Sequence, residues 1–320
     1  MSTAREELLD ELRPTAFAVA YRMLGSVAEA EDVVQEALLR THTALEEGQS
    51  IESPRAFVAT VATRLSIDQL RSARARRERY VGDWLPEPIV TDPEGEPARQ
   101  AEMADTLSLA FLVLLESLSP EQRAVLLLRD VFDYDYGEIG RIVGKSEPAV
   151  RQLAARARRH VEERRPRFES SREQREELAR RFFAAAQRGD VGGLEALLAH
   201  DVVLRGDGGG KAPALARALQ GRSRVARTLV AWMRAGARLA GVVLRPAEVN
   251  GQPGALLMDG EGRLISVMAL EIDGGQVRGV SSIINPDKLG HIGAVFDWSA
   301  YAERQVSSRG GRASGPRSPE

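Results

Sequence analysis

The stretch EIGRIVGKSEPAVRQLAARARRHV, residues 138–161, decides the fold of its part of the chain, because its residue spacing is that of a helix-turn-helix. A small residue at Gly140 lets two helices cross closely, and Gly144 suits the turn between them. Ser146 is placed to cap the second helix, and Pro148 falls in its first turn, where the missing N–H costs little. The side chains predicted to pack inward from the second helix are Val150, Leu153 and Ala157.

The outer side of this second helix is strongly basic. Such a helix can enter the major groove of DNA, where Arg recognises guanine and Gln recognises adenine. The alternative is a solvated, arginine-rich helix on an all-α domain, but the capping, the glycines and the charge together favour a DNA contact. The outward residues are Arg151, Gln152, Arg156, Arg158 and Arg159.

A second basic segment lies earlier in the chain, over residues 64–79. Arginine at this density can follow a phosphate backbone by releasing counterions. Composition alone leaves a plain solvated helix equally open. Few aromatic residues accompany the segment, so stacking of single-stranded bases is weakly indicated. The charged members of the segment are Arg64, Asp68, Arg71, Arg74, Arg76, Arg77, Glu78 and Arg79.

Composition limits the remaining classes of protein. The 320 residues are 43% hydrophobic and 28% charged, which excludes a mostly disordered or fibrous chain. The chain has no Cys, so disulfides and thiolate metal sites are excluded, and its four His lie too far apart for a local zinc site. The longest apolar stretch, residues 109–115, is too short for a membrane span, and the polar start predicts no signal peptide. We therefore expect a cytoplasmic protein without a metal or cofactor.

An acidic, proline-rich segment at residues 82–105 divides the chain. Proline removes hydrogen-bond donors and restricts the preceding residue, so we predict an extended linker here. Helical stripes flank it, with a cap and a proline at Ser53-Pro54 and at Ser119-Pro120. The sequence therefore predicts two all-α helical domains, over residues 1–81 and 106–168, and no strand before residue 200.

The pattern changes from residue 172 onward. Two helices precede apolar runs broken by glycine, which predicts an α+β domain over residues 172–290 with a curved antiparallel sheet. A helix at Ser223–Ala237 interrupts the strands, and we interpret its Trp232 and Met233 as core. The tail, residues 291–320, is predicted to be disordered from about residue 305. The predicted strands are Val202–Leu204, Val242–Leu244, Ala255–Met258, Leu264–Ile272 and Val277–Ile284.

Three segments of the helical half carry a family resemblance. The stretch AEDVVQEA, residues 30–37, resembles the signature helix of extracytoplasmic-function (ECF) sigma factors of bacterial RNA polymerase. SPRAF at 53–57 and RLSIDQLR at 64–71 are similar to the segment that follows it in that family, and the helix-turn-helix is similar to the family's fourth region. The resemblance covers roughly residues 5–165 in the right order.

The resemblance implies roles for matched residues. It implies core RNA polymerase and promoter DNA as partners, with no membrane contact, and an acidic linker that enters the polymerase channels. Residues implied to bind core polymerase are Asp32, Gln35 and Glu36. Those implied at the −10 element are Arg64, Asp68, Arg71, Arg74, Arg76 and Arg77. Those implied at the −35 element are Ser146, Arg151, Gln152, Arg156 and Arg158.

Three short motifs resemble the marks of the sigma-factor subgroup that carries a fused SnoaL-like domain. They are WLPEP at 84–88, DGGGK at 207–211 and NPDKL at 285–289. In isolation the glycine run predicts either a phosphate-binding nest or a hairpin turn, and the last motif a strand-ending turn. The resemblance implies that they dock the SnoaL-like cone on the helical half and tune its activity through Trp84, Pro86, Asp207, Lys211, Asn285, Asp287 and Lys288.

Two alternatives to a sigma factor remain open at this point. One is a stand-alone, ligand-responsive helix-turn-helix regulator, which leaves the acidic linker without a purpose. The other is a cone enzyme with a DNA-binding arm, which predicts a buried carboxylate–His pair from residues such as His200, Asp201 and Asp207. We expect no catalytic residue, and we keep a small ligand of unknown identity as a candidate partner of the cone.

Overall fold

A computed structural model of the chain describes residues 2–77, 80–91, 107–162, 171–236 and 241–303, without the side chains of residues 2–4, 73–77 and 91. The first half is helical. Before the connecting segment, defined here as residues 80–91, come α1 (Ser2–Leu24), α2 (Val27–Glu46) and α3 (Pro54–Arg77). After it come α4 (Leu109–Leu115), α5 (Pro120–Asp130), α6 (Tyr136–Val143) and α7 (Glu147–Glu162).

Local capping determines where these helices begin. The Ser119 hydroxyl accepts from the Gln122 N–H at 3.2 Å, and the Gln122 side chain accepts from the Ser119 N–H at 3.0 Å, so α5 starts in a capping box. The Ser53 hydroxyl accepts from the Ala56 N–H at 3.3 Å at the start of α3. Both helices begin at the proline that the sequence predicts.

The two helical segments pack as one body. A single apolar cluster contains Leu12 of α1, Val34 of α2, Leu127 of α5 and Val161 of α7, all at most 5% exposed. The buried guanidinium of Arg123 adds a polar link, because it donates to a carbonyl oxygen near the end of α1 at 2.5 Å. The predicted domains at 1–81 and 106–168 are therefore in direct contact.

The second half is an α+β cone. Helices α8 (Arg172–Arg188), α9 (Val191–Leu197) and α10 (Arg222–Gly236) accompany a sheet whose described strands follow the order β1-β4-β5-β6-β7-β2-β3. Neighbouring strands are antiparallel, except that β2 and β7 run parallel. A 3₁₀ turn follows at Pro286–Lys288. The strands are β1 (Val90–Thr91), β2 (Leu198–Asp207), β3 (Leu219–Gln220), β4 (Val243–Val249), β5 (Gln252–Met258), β6 (Leu264–Asp273) and β7 (Gln276–Ile283).

The structure corrects three sequence-based expectations about this half. Strands do occur before residue 200, since β1 lies in the connecting segment and β2 begins at Leu198. The sheet is mixed rather than wholly antiparallel. The cone also continues past residue 290, because the N–H of the buried Phe296 donates to the Leu264 carbonyl oxygen at 3.0 Å. Most of the acidic linker, residues 92–105, and the tail from residue 304 lie outside the described residues.

No helix within the described ranges combines the length and the apolar character needed to cross a bilayer.

Candidate nucleic-acid interface

The turn and the close crossing of the helix-turn-helix form as the sequence predicts. Helix α6 starts in a capping box, with the Asp135 carboxylate accepting from the Glu138 N–H at 2.7 Å. Gly144 ends it in the left-handed conformation, at φ 68°. A Cβ on Gly140 would lie 2.7 Å from the Lys145 carbonyl oxygen. Only glycine therefore fits where the turn passes over α6.

We expect Gly140→Val to destabilise the helix-turn-helix by about 1–3 kcal/mol, because the added side chain must displace the backbone of the turn. Thermal unfolding measured by circular dichroism tests this. Gly144→Ala is the matched control, since no atom lies within 4 Å of its added Cβ and only the positive φ opposes it. A Gly140→Val loss no larger than the control's would contradict the close helix crossing.

Helix α7 presents its predicted DNA contacts unequally. Gln152 and Arg156 lie exposed, one turn apart. Arg151 is also exposed, but its Nη2 donates to Glu147 at 2.5 Å and its guanidinium lies 4.5 Å from the centroid of the Tyr136 ring. Ser146 is exposed just before the helix.

Arg158 forms an ion pair with Asp130 of α5. Its Nε lies 3.1 Å from both carboxylate oxygens of Asp130, and its Nη2 donates to the same group. This hydrogen bonding raises the pKa of Arg158, so the guanidinium is held charged against α5. Gln152 and Arg156 are therefore more exposed on α7 than Arg158, which Asp130 holds.

Two arginines of α3 contact the second helical segment, which contains the helix-turn-helix. Arg64 donates through Nε and Nη2 to the carbonyl oxygens of Ile142, at 3.0 Å, and Arg141, at 2.9 Å. These carbonyls end α6, where the helix dipole favours a cation. Arg71 donates to Glu121 at 2.6 Å, and this bond lowers the pKa of that carboxyl. Asp68 is exposed, and the side chains of Arg74, Arg76 and Arg77 lie outside the described part of the chain.

The outward face of α2 carries the residues implied to bind polymerase. Asp32 and Gln35 are exposed, and Glu36 pairs with Arg40 at 2.7 Å. The same face includes Leu39, whose exposed fraction of 59% is high for a large apolar side chain. Sequence reasoning did not single out Leu39, although the buried spacing of Val34, Ala37 and Thr41 on α2 leaves it on the outward face.

The helical half and the cone meet around the buried carboxylate of Asp207, at the end of β2. Its Oδ1 accepts from the Tyr80 hydroxyl at 2.5 Å. Its Oδ2 accepts from the Leu85 N–H at 2.8 Å and from Lys288 Nζ at 2.7 Å. Burial, and then the bond to Asp207, raises the pKa of Tyr80, so the phenol stays a donor. Lys288 is only 6% exposed, so this is a buried ion pair.

Aromatic and amide groups complete this contact. Lys288 Nζ lies 4.1 Å from the centroid of the Trp84 ring and also donates to the Leu85 carbonyl oxygen at 2.5 Å. Trp84 packs on Gly25, where a Cβ would lie 2.9 Å from the indole, and Pro86 covers the same glycine at 3.4 Å. The three motifs therefore meet in one place.

The glycine-rich loop after Asp207 forms a turn, in which the Lys211 N–H donates to the Gly208 carbonyl oxygen at 2.9 Å. A Cβ on Gly209 would collide with the side chain of Asn285, whose Nδ2 donates to the Tyr80 hydroxyl at 2.8 Å. These contacts favour the turn over a phosphate nest. Lys211 and Asp287 form an exposed ion pair at 2.7 Å beside it.

The connecting segment also caps the helix that carries the predicted polymerase face. The Glu87 carboxylate accepts from the Val27 N–H at 2.7 Å, the Ala28 N–H at 3.2 Å and the Ser26 hydroxyl at 2.8 Å. A carboxylate at a helix N-terminus is stabilised by the helix dipole. Sequence reasoning missed this role, because Glu87 lies about sixty residues from the helix it caps.

Asn250 forms a second set of hydrogen bonds between the cone and the helical half, which sequence reasoning missed. Its Nδ2 donates to the Tyr21 hydroxyl at 2.8 Å and to the Leu107 carbonyl oxygen at 2.9 Å. Its Oδ1 accepts from the Ile89 N–H at 2.9 Å. One side chain in the β4–β5 turn thus links the cone to both helical segments and to the connecting segment. Its Asn-Gly sequence signals only a hairpin turn.

The cone encloses a cavity of about 300 Å³. Trp232 and Met233 line it, and both also pack against the apolar core of the cone, as predicted. No carboxylate or imidazole occurs among its described lining residues. His200, Asp201 and Asp207 are not brought together there, since Asp207 lies in the interface and Asp201 pairs with Arg278 at 3.5 Å.

Comparison with known proteins shows which family the chain is similar to. Residues 8–76 match the family model of Sigma-70 region 2, and residues 108–161 match that of Sigma-70, region 4. The chain is 37% identical over 310 residues to the ECF RNA polymerase sigma factor SigJ of Mycobacterium tuberculosis (strain H37Rv), covering 94% of this chain and 96% of the relative. The chain belongs to the ECF family of RNA polymerase sigma factors.

Two further matches support this sigma factor's family and fold. It is 31% identical over 279 residues to the "Probable ECF RNA polymerase sigma factor SigI" of M. tuberculosis (strain CDC 1551), covering 85% of this chain and 90% of that one. The crystal structure of M. tuberculosis SigJ matches it with a TM-score of 0.71 at 35% identity, over 89% of this chain and 98% of that one. The predicted fold, two helical segments followed by an α+β domain, is confirmed.

Family membership also decides between the sequence-based interpretations. The sigma factor acts in promoter recognition and transcription initiation, as predicted. The alternative interpretation as a stand-alone regulator is excluded, because the matched regions and the full-length relatives are those of a polymerase subunit.

Proposed function

We propose that this sigma factor limits its own binding to promoter DNA by adopting a closed arrangement, in which Arg64 of α3 contacts the end of α6. In this proposal the cone of the same chain holds the closed arrangement. In this proposal core polymerase binds the outward face of α2 formed by Asp32, Gln35, Glu36 and Leu39. Helix α3 then takes the −10 element, and the exposed side of α7 takes the −35 element. The site of action is the cytoplasm, where polymerase and promoter are found.

The observation that carries the proposal is the contact of Arg64 with the end of α6. The −10 and −35 positions are about 25 base pairs apart by their numbering, or ~85 Å at a rise of 3.4 Å per pair. A helix that binds the −10 element cannot touch the helix-turn-helix while the latter binds the −35 element. The closed arrangement must therefore open before both elements are bound.

Helix α4 supports the idea that the cone holds this arrangement. Its Leu112 and Leu115 belong to the apolar cluster of the helical half. Its Leu109 lies on the other side, in a cluster with Leu85 of the connecting segment and Val249 of the cone. Burial of these side chains favours the closed arrangement, because opening would expose them to water.

The cone itself is proposed to regulate rather than catalyse. Its described cavity lining contains no carboxylate and no imidazole, the groups that most often act as acid or base in enzymes. A small ligand remains a candidate effector of this domain.

Run-off transcription with core polymerase tests the proposal directly. We expect the full chain to direct initiation from its promoter and Leu39→Asp to weaken binding to core polymerase at least tenfold, because a charge replaces an apolar contact. Val243→Asp is the matched control, since Val243 is 57% exposed on β4 of the cone. Equal binding by both variants would exclude the α2 face as the polymerase contact.

A second variant tests whether the closed arrangement limits DNA binding. It weakens the contact between α3 and α5 without changing a predicted DNA-binding residue. We expect Glu121→Gln to raise promoter DNA binding by up to about fivefold, because it removes the carboxylate that holds Arg71. The control is Glu177→Gln, which breaks a similar exposed pair with Arg180 in the cone. Unchanged DNA binding, measured by fluorescence anisotropy, would mean that this contact does not limit opening.

A further inference from the structure

One part of the cone surface is strongly basic and has no role in the proposed polymerase or DNA contacts. Between Asp207 and Glu248 the sequence contains eight Lys and Arg but no Asp or Glu, although acids make up 46 of the 320 residues. Helix α10 lies in this stretch and carries four of the eight cations. A surface without acids has a positive potential, which attracts an anionic partner.

The exposed arginines of α10 lie on one side of the helix. Arg224, Arg227 and Arg234 follow helical spacing, and the small, exposed Ala231 lies between the last two. Arg217, in the loop before β3, is exposed as well. Within the described part of the chain none of the four arginines forms an ion pair or a hydrogen bond. We call these four arginines the α10 basic face.

Helix α8 of the same cone shows the opposite arrangement. Its exposed Arg172 pairs with Glu176 at 2.8 Å, and its exposed Arg180 pairs with Glu177 at 2.5 Å. Acids at helical spacing thus offset these arginines, as is usual on a solvated helix face. The α10 basic face has no such acids, so a partner would have to supply the negative charge.

The α10 basic face lacks the groups that anchor a protein partner. Protein interfaces usually depend on aromatic or large apolar side chains at their centre. Val225 and Leu229 of α10 are at most 2% exposed, and the exposed large hydrophobic residues Leu39, Val81 and Val243 lie elsewhere. Arginine without an apolar anchor is typical of phosphate contacts, because the planar guanidinium donates two parallel hydrogen bonds to a phosphate.

The α10 basic face begins close to the end of α3, the helix implied at the −10 element. A Cβ on Gly82 would lie 3.6 Å from the Leu215 carbonyl oxygen, so the loop that leads to Arg217 packs on the connecting segment. Gly82 follows the last residue of α3, Arg77, by five positions, which span at most ~17 Å. DNA held by α3 is therefore near the start of this face.

The contacts that keep the cone beside α3 do not involve the second helical segment. Tyr80 donates to Asp207 at 2.5 Å, and Lys288 Nζ lies 4.1 Å from the centroid of the Trp84 ring. Separation of α3 from α6 therefore breaks neither contact. The cone can stay next to α3 when the closed arrangement opens.

We propose that the α10 basic face binds the phosphate backbone of promoter DNA next to the −10 element. This contact holds DNA of any sequence, because phosphate contacts carry no base recognition. It adds a DNA contact that the proposed function does not include. The inference rests on that function only for the position of the contact along the promoter.

The salt dependence of binding to a random-sequence DNA duplex tests the phosphate contact. The test variant combines Arg217→Ala, Arg224→Ala and Arg227→Ala. We expect it to bind at least about tenfold more weakly near ~0.1 M salt, and the slope of log K against log salt to shrink by about 2–3, because each phosphate contact contributes ~0.9. Lys at the same three positions should restore the slope. Fluorescence anisotropy with the full chain measures both quantities.

The matched control removes three exposed arginines of the cone that already have carboxylate partners. Arg278 is the third, since it pairs with Asp273 at 2.9 Å. The combination of Arg172→Ala, Arg180→Ala and Arg278→Ala changes the net charge equally, but we expect it to alter the slope by less than about 0.5. Circular dichroism shows that both variants keep the fold.

The opposite results overturn the inference. An unchanged slope in the test variant, equal losses in the two triple variants, or no saturable binding to the duplex excludes the α10 basic face as a DNA contact. Weaker binding to core polymerase with an unchanged slope would mean that the partner is a protein.

A promoter fragment with core polymerase tests the position of the contact. The test variant should bind this fragment more weakly than the control does, and equal affinities would exclude a contact next to the −10 element. Absence of run-off transcription from the wild type contradicts the proposed function instead. The slope on random-sequence DNA does not depend on run-off, which keeps the two failures distinct.

Discussion

Lys288→Met is expected to lower the free energy of unfolding by about 3–5 kcal/mol. The substitution keeps most of the aliphatic stem but removes the ammonium that pairs with the fully buried Asp207 at 2.7 Å. It also removes the cation beside the Trp84 ring and the donor to the Leu85 carbonyl. Because these partners belong to the connecting segment, the loss should fall on the contact between the two halves.

Urea unfolding followed by circular dichroism measures this loss. Lys211→Met is the matched control, since Lys211 pairs with Asp287 at 2.7 Å but both side chains are more than half exposed. We expect the control to change stability by less than ~0.5 kcal/mol. Adding Asp207→Asn to Lys288→Met should recover part of the loss, because the buried charge is then gone. Equal effects of the two lysine variants would mean that Asp207 and Lys288 do not hold the interface.

The double variant Gln152→Ala and Arg156→Ala is expected to weaken binding of the polymerase–sigma complex to promoter DNA by about 2–6 kcal/mol, or at least about thirtyfold. Each substitution removes one exposed side chain of α7 that we propose to contact a base edge. A lost base contact costs ~1–3 kcal/mol. Fluorescence anisotropy at fixed salt measures the loss on a promoter fragment selected by the complex.

Arg180→Ala on α8 controls for the removal of one positive charge, because Arg180 is highly exposed in the cone. We expect this control to leave promoter binding unchanged. Base recognition also requires that the double variant lose discrimination between promoter and random DNA. An equal loss on both DNAs would place Gln152 and Arg156 on the phosphate backbone instead.

Features set by neighbouring residues could be predicted from the sequence. The proline starts at Pro54 and Pro120, the capping box at Ser119 and the turn at Gly144 all depend on groups within a few residues of one another. The close crossing at Gly140 could be predicted for the same reason, because its neighbour, the Lys145 carbonyl, lies only five residues further along the chain. The family resemblance then supplied implied roles for residues whose chemistry alone fits a solvated helix equally well.

Contacts across long stretches of chain could not be predicted in this way. The hydroxyl of Tyr80 donates to a carboxylate 127 residues away, and Asn250 donates to the Tyr21 hydroxyl 229 residues away. Residue type gave no sign that Arg64 and Arg158 contact other helices in this structure instead of solvent. The cavity of the cone, which Trp298 lines, likewise forms only once the segment after β7 packs on the sheet.

The sequence by itself determined which segments are helical, where the helix-turn-helix lies, and that a glycine-punctuated sheet follows, because hydrophobic periodicity and capping act over a few residues. Only the tertiary structure decided that the two promoter-binding modules touch, that Glu87 caps a distant helix, and that a cavity lined by Trp298 forms in the cone. These features depend on which buried surfaces meet when the chain packs, and local spacing does not specify such encounters.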